Sequence, residues 1–91
     1  MNPESLLVAL VELAEAAGLK VRAIRPGTGA DGDFPATSGV CRLRGKLWVL
    51  LAASEPVEAQ TEVIARALRE NCGEFLEGRY LPPAIRARIN P

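Results

Sequence analysis

A chain of 91 residues is long enough for one small domain, and its 11 basic and 11 acidic side chains leave no net charge to draw it toward nucleic acid or an anionic membrane. Its composition, 48% hydrophobic and 24% charged, is that of a globular protein and excludes a disordered chain. We therefore expect a single domain over residues 1–91.

The N-terminal part of the chain predicts a helix followed by a strand. Apolar side chains recur at helical spacing over residues 3–17, and Gly18 suits the left-handed position that ends a helix. Residues 19–23 then alternate apolar and basic side chains, which is typical of a half-buried strand. Lys20 and Arg22 are predicted to face outward.

A loop and a hairpin are predicted next. Residues 26–39 contain four glycines and two prolines, a composition typical of a flexible loop. Two strands follow, over residues 40–43 and 47–52, with a tight turn at residues 44–46 between them. Because the last strand is apolar on both faces, we expect it to be the most buried strand or to be covered on its second face by another element.

The C-terminal half predicts two helices. Ser54 can cap the first, which should end before Gly73. An apolar connection leads to a short helix over residues 83–89, in which Ile85 and Ile89 share one side. The predicted fold is thus α+β, with the order α-β-β-β-α plus a short C-terminal helix, and with the two main helices packed on one face of a three-stranded, mainly antiparallel sheet.

The residue types needed for enzyme chemistry are scarce. There is no histidine, which removes the commonest general base and metal ligand. Cys41 and Cys72 are far apart in sequence, and free cysteines in such positions usually serve as small buried hydrophobes. Residues 27–32 match G-x-G-x-x-G, but the helix that would hold a dinucleotide is not predicted after them. We predict no catalytic activity, metal, cofactor or small-molecule ligand.

One segment resembles a known family. The apolar strand pattern of residues 47–51 and the helical pattern of residues 63–70 are similar to the strand-then-helix segment of zincin metallopeptidases of the phage-repressor-cleaving type, whose helix carries H-E-x-x-H. Arg66 and Glu70 stand at the positions of the two zinc ligands, and Ala67 stands at the position of the catalytic glutamate. The resemblance therefore implies neither a bound metal nor hydrolysis.

Charge is unevenly distributed along the chain. Residues 19–48 carry six basic side chains against two aspartates, whereas residues 49–78 carry six glutamates against two arginines. A basic sheet face with one stacking aromatic could bind nucleic acid, which is the alternative function that we consider. The residues predicted for it are Lys20, Arg22, Arg42, Arg44, Lys46 and Trp48.

The leading prediction is a non-enzymatic protein-protein interaction module that forms a homodimer or binds another protein. Aromatic, apolar and arginine side chains, the types favoured at interfaces, lie in the sheet and in the C-terminal segment. The predicted contact residues are Arg42, Arg44, Trp48, Tyr80, Leu81 and Ile85. No signal peptide or membrane helix is predicted, so we expect a cytoplasmic protein.

Overall fold

The computed structural model describes residues 2–24 and 38–90, and the loop predicted at 26–39 lies outside these residues except for its last two positions. The elements of the described part are α1 (Pro3–Ala16), β1 (Lys20–Ile24), β2 (Gly39–Leu43), β3 (Lys46–Ala52), α2 (Val57–Asn71), α3 (Gly73–Glu77) and α4 (Pro83–Ile89). The predicted α+β class and element order are confirmed, and α3 is added to them.

Helix α1 has the sequence signals expected at both of its ends. The Oδ1 atom of Asn2 accepts a hydrogen bond from the backbone N–H of Ser5 at 2.7 Å, which satisfies one of the free N–H groups of the first turn. At the other end, Gly18 has a φ of 95°, a left-handed conformation that costs little without a Cβ atom. The helix therefore stops one residue earlier than predicted.

The three strands form a mixed sheet in the order β1-β3-β2. Strand β2 pairs with β3 in antiparallel fashion, whereas β1 runs parallel to β3 on its other side. The prediction of a mainly antiparallel sheet is corrected, because consecutive strands β1 and β2 are not neighbours. This arrangement makes β3 the central strand and leaves β1 and β2 at the two edges of the sheet.

The hairpin between β2 and β3 turns over two residues. Arg44 has a φ of 53° and Gly45 a φ of 77°, and two left-handed residues in succession are the signature of a type I′ turn. Leu43 is therefore paired with Lys46, and Cys41 with Trp48. The predicted turn at 44–46 is one residue too long, because Lys46 already belongs to β3.

The hydrophobic core lies between the sheet and helices α1 and α2. Val49 and Leu51 of β3 are buried there with Leu10 of α1 and Ile64 of α2. Alternate residues of β3 point to the opposite face, where Trp48 and its neighbour Leu50 are only half-buried. The expectation that β3 is the most buried strand is confirmed, but no element among residues 2–24 and 38–90 packs as a second layer over its other face.

Helix α2 begins later than predicted. The backbone N–H of Glu55 donates to the carbonyl oxygen of Ala52 at 3.0 Å, which closes a turn, and Pro56 is the extended residue before the helix. Ser54 lies inside this turn, so the prediction that it caps the helix is wrong. The helix packs on the core through Ile64 and Leu68, both of which are fully buried.

The C-terminal segment belongs to the core of its own chain. Leu81 and Ile85 are each 6% exposed, and Ile89 is fully buried. Arg69 of α2 donates from Nη1 to the carbonyl oxygen of Ile89 at 3.1 Å, which ties the end of α4 to α2. The predicted side of α4 is confirmed, and the prediction that Leu81 and Ile85 contact a partner is wrong, because packing within the chain already buries them.

Replacing Gly45 with alanine tests the turn that sets the hairpin register. A Cβ atom at a φ of 77° is strained, and we expect Gly45→Ala to lower the free energy of unfolding by about 1–2 kcal/mol in urea denaturation. Gly73→Ala is the control, since Gly73 lies at the start of α3 with open space around it and no left-handed φ. Equal effects of the two substitutions would contradict a type I′ turn.

Candidate functional site

Strand β2 is the most exposed strand of the sheet, since four of its five residues are exposed. Strand β2 pairs with β3 on one side, and no other described strand pairs with it. Residues that flank a two-residue turn form a hydrogen-bonded pair, so Leu43, Cys41 and Gly39 direct their backbone groups at β3. The backbone N–H and C=O groups of Val40 and Arg42 consequently point away from the sheet.

The side chains along this edge are exposed and partly apolar. Val40 is 44% exposed and Leu43 55% exposed, although both are large apolar residues in a regular strand. Cys41 is exposed as well, whereas Cys72 is buried, and its burial raises the pKa of its thiol. The expectation that both cysteines are buried hydrophobes is therefore wrong for Cys41, because the edge position of β2 leaves its outer face uncovered.

The outer sheet face, defined as the face opposite the two long helices, gathers part of the predicted basic patch. Lys20 is the cross-strand partner of Trp48, and Arg22 is the partner of Leu50. Lys46 lies two residues before Trp48 in β3 and shares its face. These residues meet as predicted around one aromatic side chain.

Two arginines of the predicted patch lie elsewhere. Arg42 is paired with Leu47, whose side chain packs against the core, so Arg42 points to the helix side of the sheet. Arg44 occupies the turn. The prediction that both share a face with Trp48 is therefore wrong. For Arg42 the shorter turn is the reason, since a shift of one residue reverses the face of every side chain in a strand.

A groove of about 470 Å³ runs between β2 and α2. Val40 lines it from the strand, and Glu62 and Glu70 line it from the helix. Arg66 and Ala67, which together with Glu70 stand at the motif positions of the zincin resemblance, also border this groove. The residues that line its helix wall include two carboxylates and one guanidinium group, and Glu62 is also ion-paired with Nη2 of Arg88 at 3.5 Å.

Within residues 2–24 and 38–90, no group of three or more histidine, cysteine, aspartate or glutamate side chains is placed to hold a metal ion. Ala67, at the position of the catalytic glutamate in the resemblance, is buried and has no functional group. What this groove can offer a ligand is an apolar floor and acidic side chains beside a free strand edge.

A second cavity, of about 320 Å³, lies against the C-terminal segment. Arg69, Arg79 and Arg86 line it. Arg69 is hydrogen-bonded to the Ile89 carbonyl oxygen, and the Cζ atom of Arg79 lies 4.8 Å from the centre of the Phe75 ring, a cation–π contact. Two of its three guanidinium groups thus hold the chain's own C-terminal segment in place.

Tyr80 is the predicted contact residue that the C-terminal segment does leave accessible. It is 79% exposed, although its neighbour Leu81 is buried. Tyr80 also borders a shallow depression beside α1. This depression shares no lining residue with the groove between β2 and α2. The contact residues predicted from the sequence therefore do not form one surface.

The start of β2 is fastened by Ser38. Its backbone N–H donates to Oε1 of Glu55 at 2.6 Å, and its Oγ accepts from the backbone N–H of Ala52 at 2.9 Å. Hydrogen bonds from the Ser38 hydroxyl, and then from its backbone N–H, lower the pKa of Glu55 below the ordinary value of 4.5. This small network joins the beginning of the edge strand to the connection between β3 and α2.

Sequence reasoning missed the residues that make the edge and its groove a surface. The strand pattern predicts Val40 and Leu43 in a strand over residues 40–43 without an edge position, and it leaves Glu62 and Glu70 among the six glutamates of residues 49–78. The signal that could have found them is the Arg44-Gly45 pair, since a two-residue turn sets which side chains and backbone groups of β2 point outward.

The Ser38 network predicts a pH effect. Because the folded-state pKa of Glu55 is depressed, its ionised form stabilises the fold above the unfolded-state pKa, and this contribution is lost as the pH falls through the folded-state value. We expect Ser38→Ala to raise the pKa of Glu55 toward 4.5, measured by NMR titration of its carboxyl carbon. Ser54→Ala is the control and should leave it unchanged. An unaltered Glu55 titration in Ser38→Ala would show that the Ser38 hydroxyl does not lower the pKa of Glu55.

No family model matches this chain, and neither the curated proteins nor the solved structures include one that is detectably similar to it. The resemblance of residues 47–70 to zincins stays a prediction. In the ranges 2–24 and 38–90, none of the helices combines the length and the apolar character needed to cross a membrane. What the chain does must be inferred from its strand edge, its sheet faces and its groove.

Proposed function

We propose that this chain is a non-enzymatic protein interaction module that associates with a second copy of itself. The observation that carries this proposal is the β2 edge, where backbone groups that no described strand pairs lie beside the exposed apolar side chains of Val40 and Leu43. An accessible strand edge of this kind is a template for pairing with another strand. Two identical edges can satisfy each other, and symmetric homodimers are the commonest oligomers of soluble proteins.

The composition of the edge supports pairing with another strand. Proteins usually blunt an edge strand with proline, with charges or with a very short strand. Strand β2 has five residues and no proline, and it carries one charge, on Arg42. Its centre, Cys41, is neutral and small. An edge protected this weakly favours a pairing function.

The solution mass of the full-length chain tests the proposal. We expect light scattering over a concentration series to show a mass that rises from 9.7 kDa toward twice that value. A mass that stays at 9.7 kDa throughout the series would contradict self-association. Deletion of residues 79–91 is not a suitable test, since it would remove Leu81, Ile85 and Ile89 from the core.

Nucleic-acid binding by the outer sheet face is a second candidate function. It is favoured by the direct pairing of Lys20 with Trp48, which sets a cation beside the one tryptophan of the chain, with Arg22 two residues away. Basic side chains around a stacking aromatic are typical of surfaces that bind single strands. Arg42 has no part in this reduced patch.

Titration with a single-stranded oligonucleotide, followed by Trp48 fluorescence, tests this second function. We expect binding that weakens as salt rises, and a salt slope that falls by about one for each of Lys20→Ala and Arg22→Ala. Arg66→Ala, which removes an exposed arginine on α2, is the matched control and should not change binding. Affinity that is indifferent to Lys20 and Arg22 would rule out this face.

A further inference from the structure

We propose that two copies of the chain pair their β2 strands in antiparallel fashion, with Cys41 of each copy at the twofold axis, so that two three-stranded sheets become one of six strands. This proposal rests on the self-association proposed above and adds the interface, its register and the residues that decide it. It uses the backbone edge, the charge of the groove and the position of one cysteine.

The backbone groups on the edge select the pairing. Val40 and Arg42 direct their N–H and C=O groups away from β3, as the two-residue turn requires. When Cys41 lies at the axis, Val40 faces the partner's Arg42, and each such pair exchanges two hydrogen bonds. Together with the symmetric copy of this pair, the interface contains about four hydrogen bonds in all.

The register with Cys41 at the axis is the one in which all five residues of β2 overlap, because Cys41 is the middle residue of Gly39–Leu43. Centring the pair on Arg42 would bring two like charges directly opposite each other, which is destabilising. Centring it on Val40 would leave only residues 39–41 of the strand overlapped. Strand length and charge therefore favour the same register.

Charge complementarity across the interface points to a second copy as the occupant of the groove. Arg42 points to the helix side of the sheet, the side on which the groove between β2 and α2 lies. In the proposed register it faces the partner's Val40, which lines the partner's groove together with the partner's Glu62. Arg42 of one copy therefore lies on the side where the groove of the other copy carries carboxylates. The twofold symmetry repeats this arrangement on the opposite half of the interface.

The other edge of the sheet is unsuited to the same pairing. Strand β1 spans Lys20–Ile24, so its middle residue is Arg22. Full antiparallel overlap of two β1 strands would place Arg22 opposite the partner's Arg22, and like charges directly opposite destabilise a sheet. Self-pairing is therefore assigned to β2.

Disulfide trapping tests the register. Residues of a non-hydrogen-bonded antiparallel pair have Cα atoms about 4.5 Å apart, within the range that a disulfide spans. In a Cys72→Ser background, we expect diamide, which accepts the two hydrogens of the two thiols, to convert the chain to a covalent dimer. Cys41→Ser should abolish this dimer.

Repositioned cysteines separate the register from random collision. With both native cysteines replaced by serine, Leu43→Cys alone should not form a disulfide-linked dimer, because the two copies of position 43 are about 13 Å apart along the strands. Adding Gly39→Cys should restore cross-linking, since positions 39 and 43 face each other across the axis. Equal trapping of every single-cysteine variant would overturn the proposed register.

Two substitutions test the edge and the charge match without a cysteine. Val40→Pro removes an N–H that β3 does not use and should abolish the dimer, whereas Val40→Thr, which keeps that N–H, should retain it. Arg42→Glu should weaken dimerisation at least about tenfold. Adding Glu62→Arg should recover most of this loss. The change also removes the 3.5 Å contact between Glu62 and Nη2 of Arg88, but Glu58 keeps its own ion pair with Arg88.

The outcomes separate this interface from self-association in general. A dimer by light scattering that neither Val40→Pro nor Arg42→Glu weakens, and that Cys41 does not trap, would overturn the β2 pairing and leave self-association standing. A monomer at every concentration would overturn both proposals. Capture of a different protein on the β2 edge, with no dimer, would reject a second copy as the occupant.

Discussion

The two-residue turn at Arg44 and Gly45 decides which side chains this sheet turns toward its helices and which it turns toward solvent. Side chains alternate along a strand, so the length of the turn sets the pairing of every residue of β2 with β3. It places Cys41 beside Trp48 on the outer face and Arg42 on the helix side. The basic patch, the free backbone groups and the charge of the edge all depend on this register.

Spacing within the sequence was enough to predict the elements but not their relation to one another. Apolar periodicity located both long helices and all three strands to within a few residues, because burial of one face demands it. A turn predicted at 44–46 pairs Arg42 with Trp48, whereas the actual turn pairs Arg42 with Leu47. An error of one residue, harmless to the list of elements, was therefore enough to put Arg42 on the wrong face.

Predictions about burial failed where a pattern has two physical solutions. Leu81 and Ile85 show the spacing of an apolar face, and such a face can be covered by the chain's own core or by a partner. The structure covers it internally. Cys41 shows the opposite case, since its strand pattern is that of a sheet interior but β2 is an edge. Strand order decides such cases, and it depends on long-range pairing that local sequence does not record.

The charge of Arg22, at the middle of β1, limits how far the proposed pairing of sheets through β2 can extend. A sheet in which both edge strands can pair with another copy would add copies without limit and form a fibre. In the proposed pairing, two β1 edges remain, and Arg22 disfavours their fully overlapped pairing with further copies, so the proposed assembly ends at two chains. A neutral side chain in place of Arg22 would remove this repulsion between β1 edges, and the pairs of chains would then be able to associate further and lose solubility.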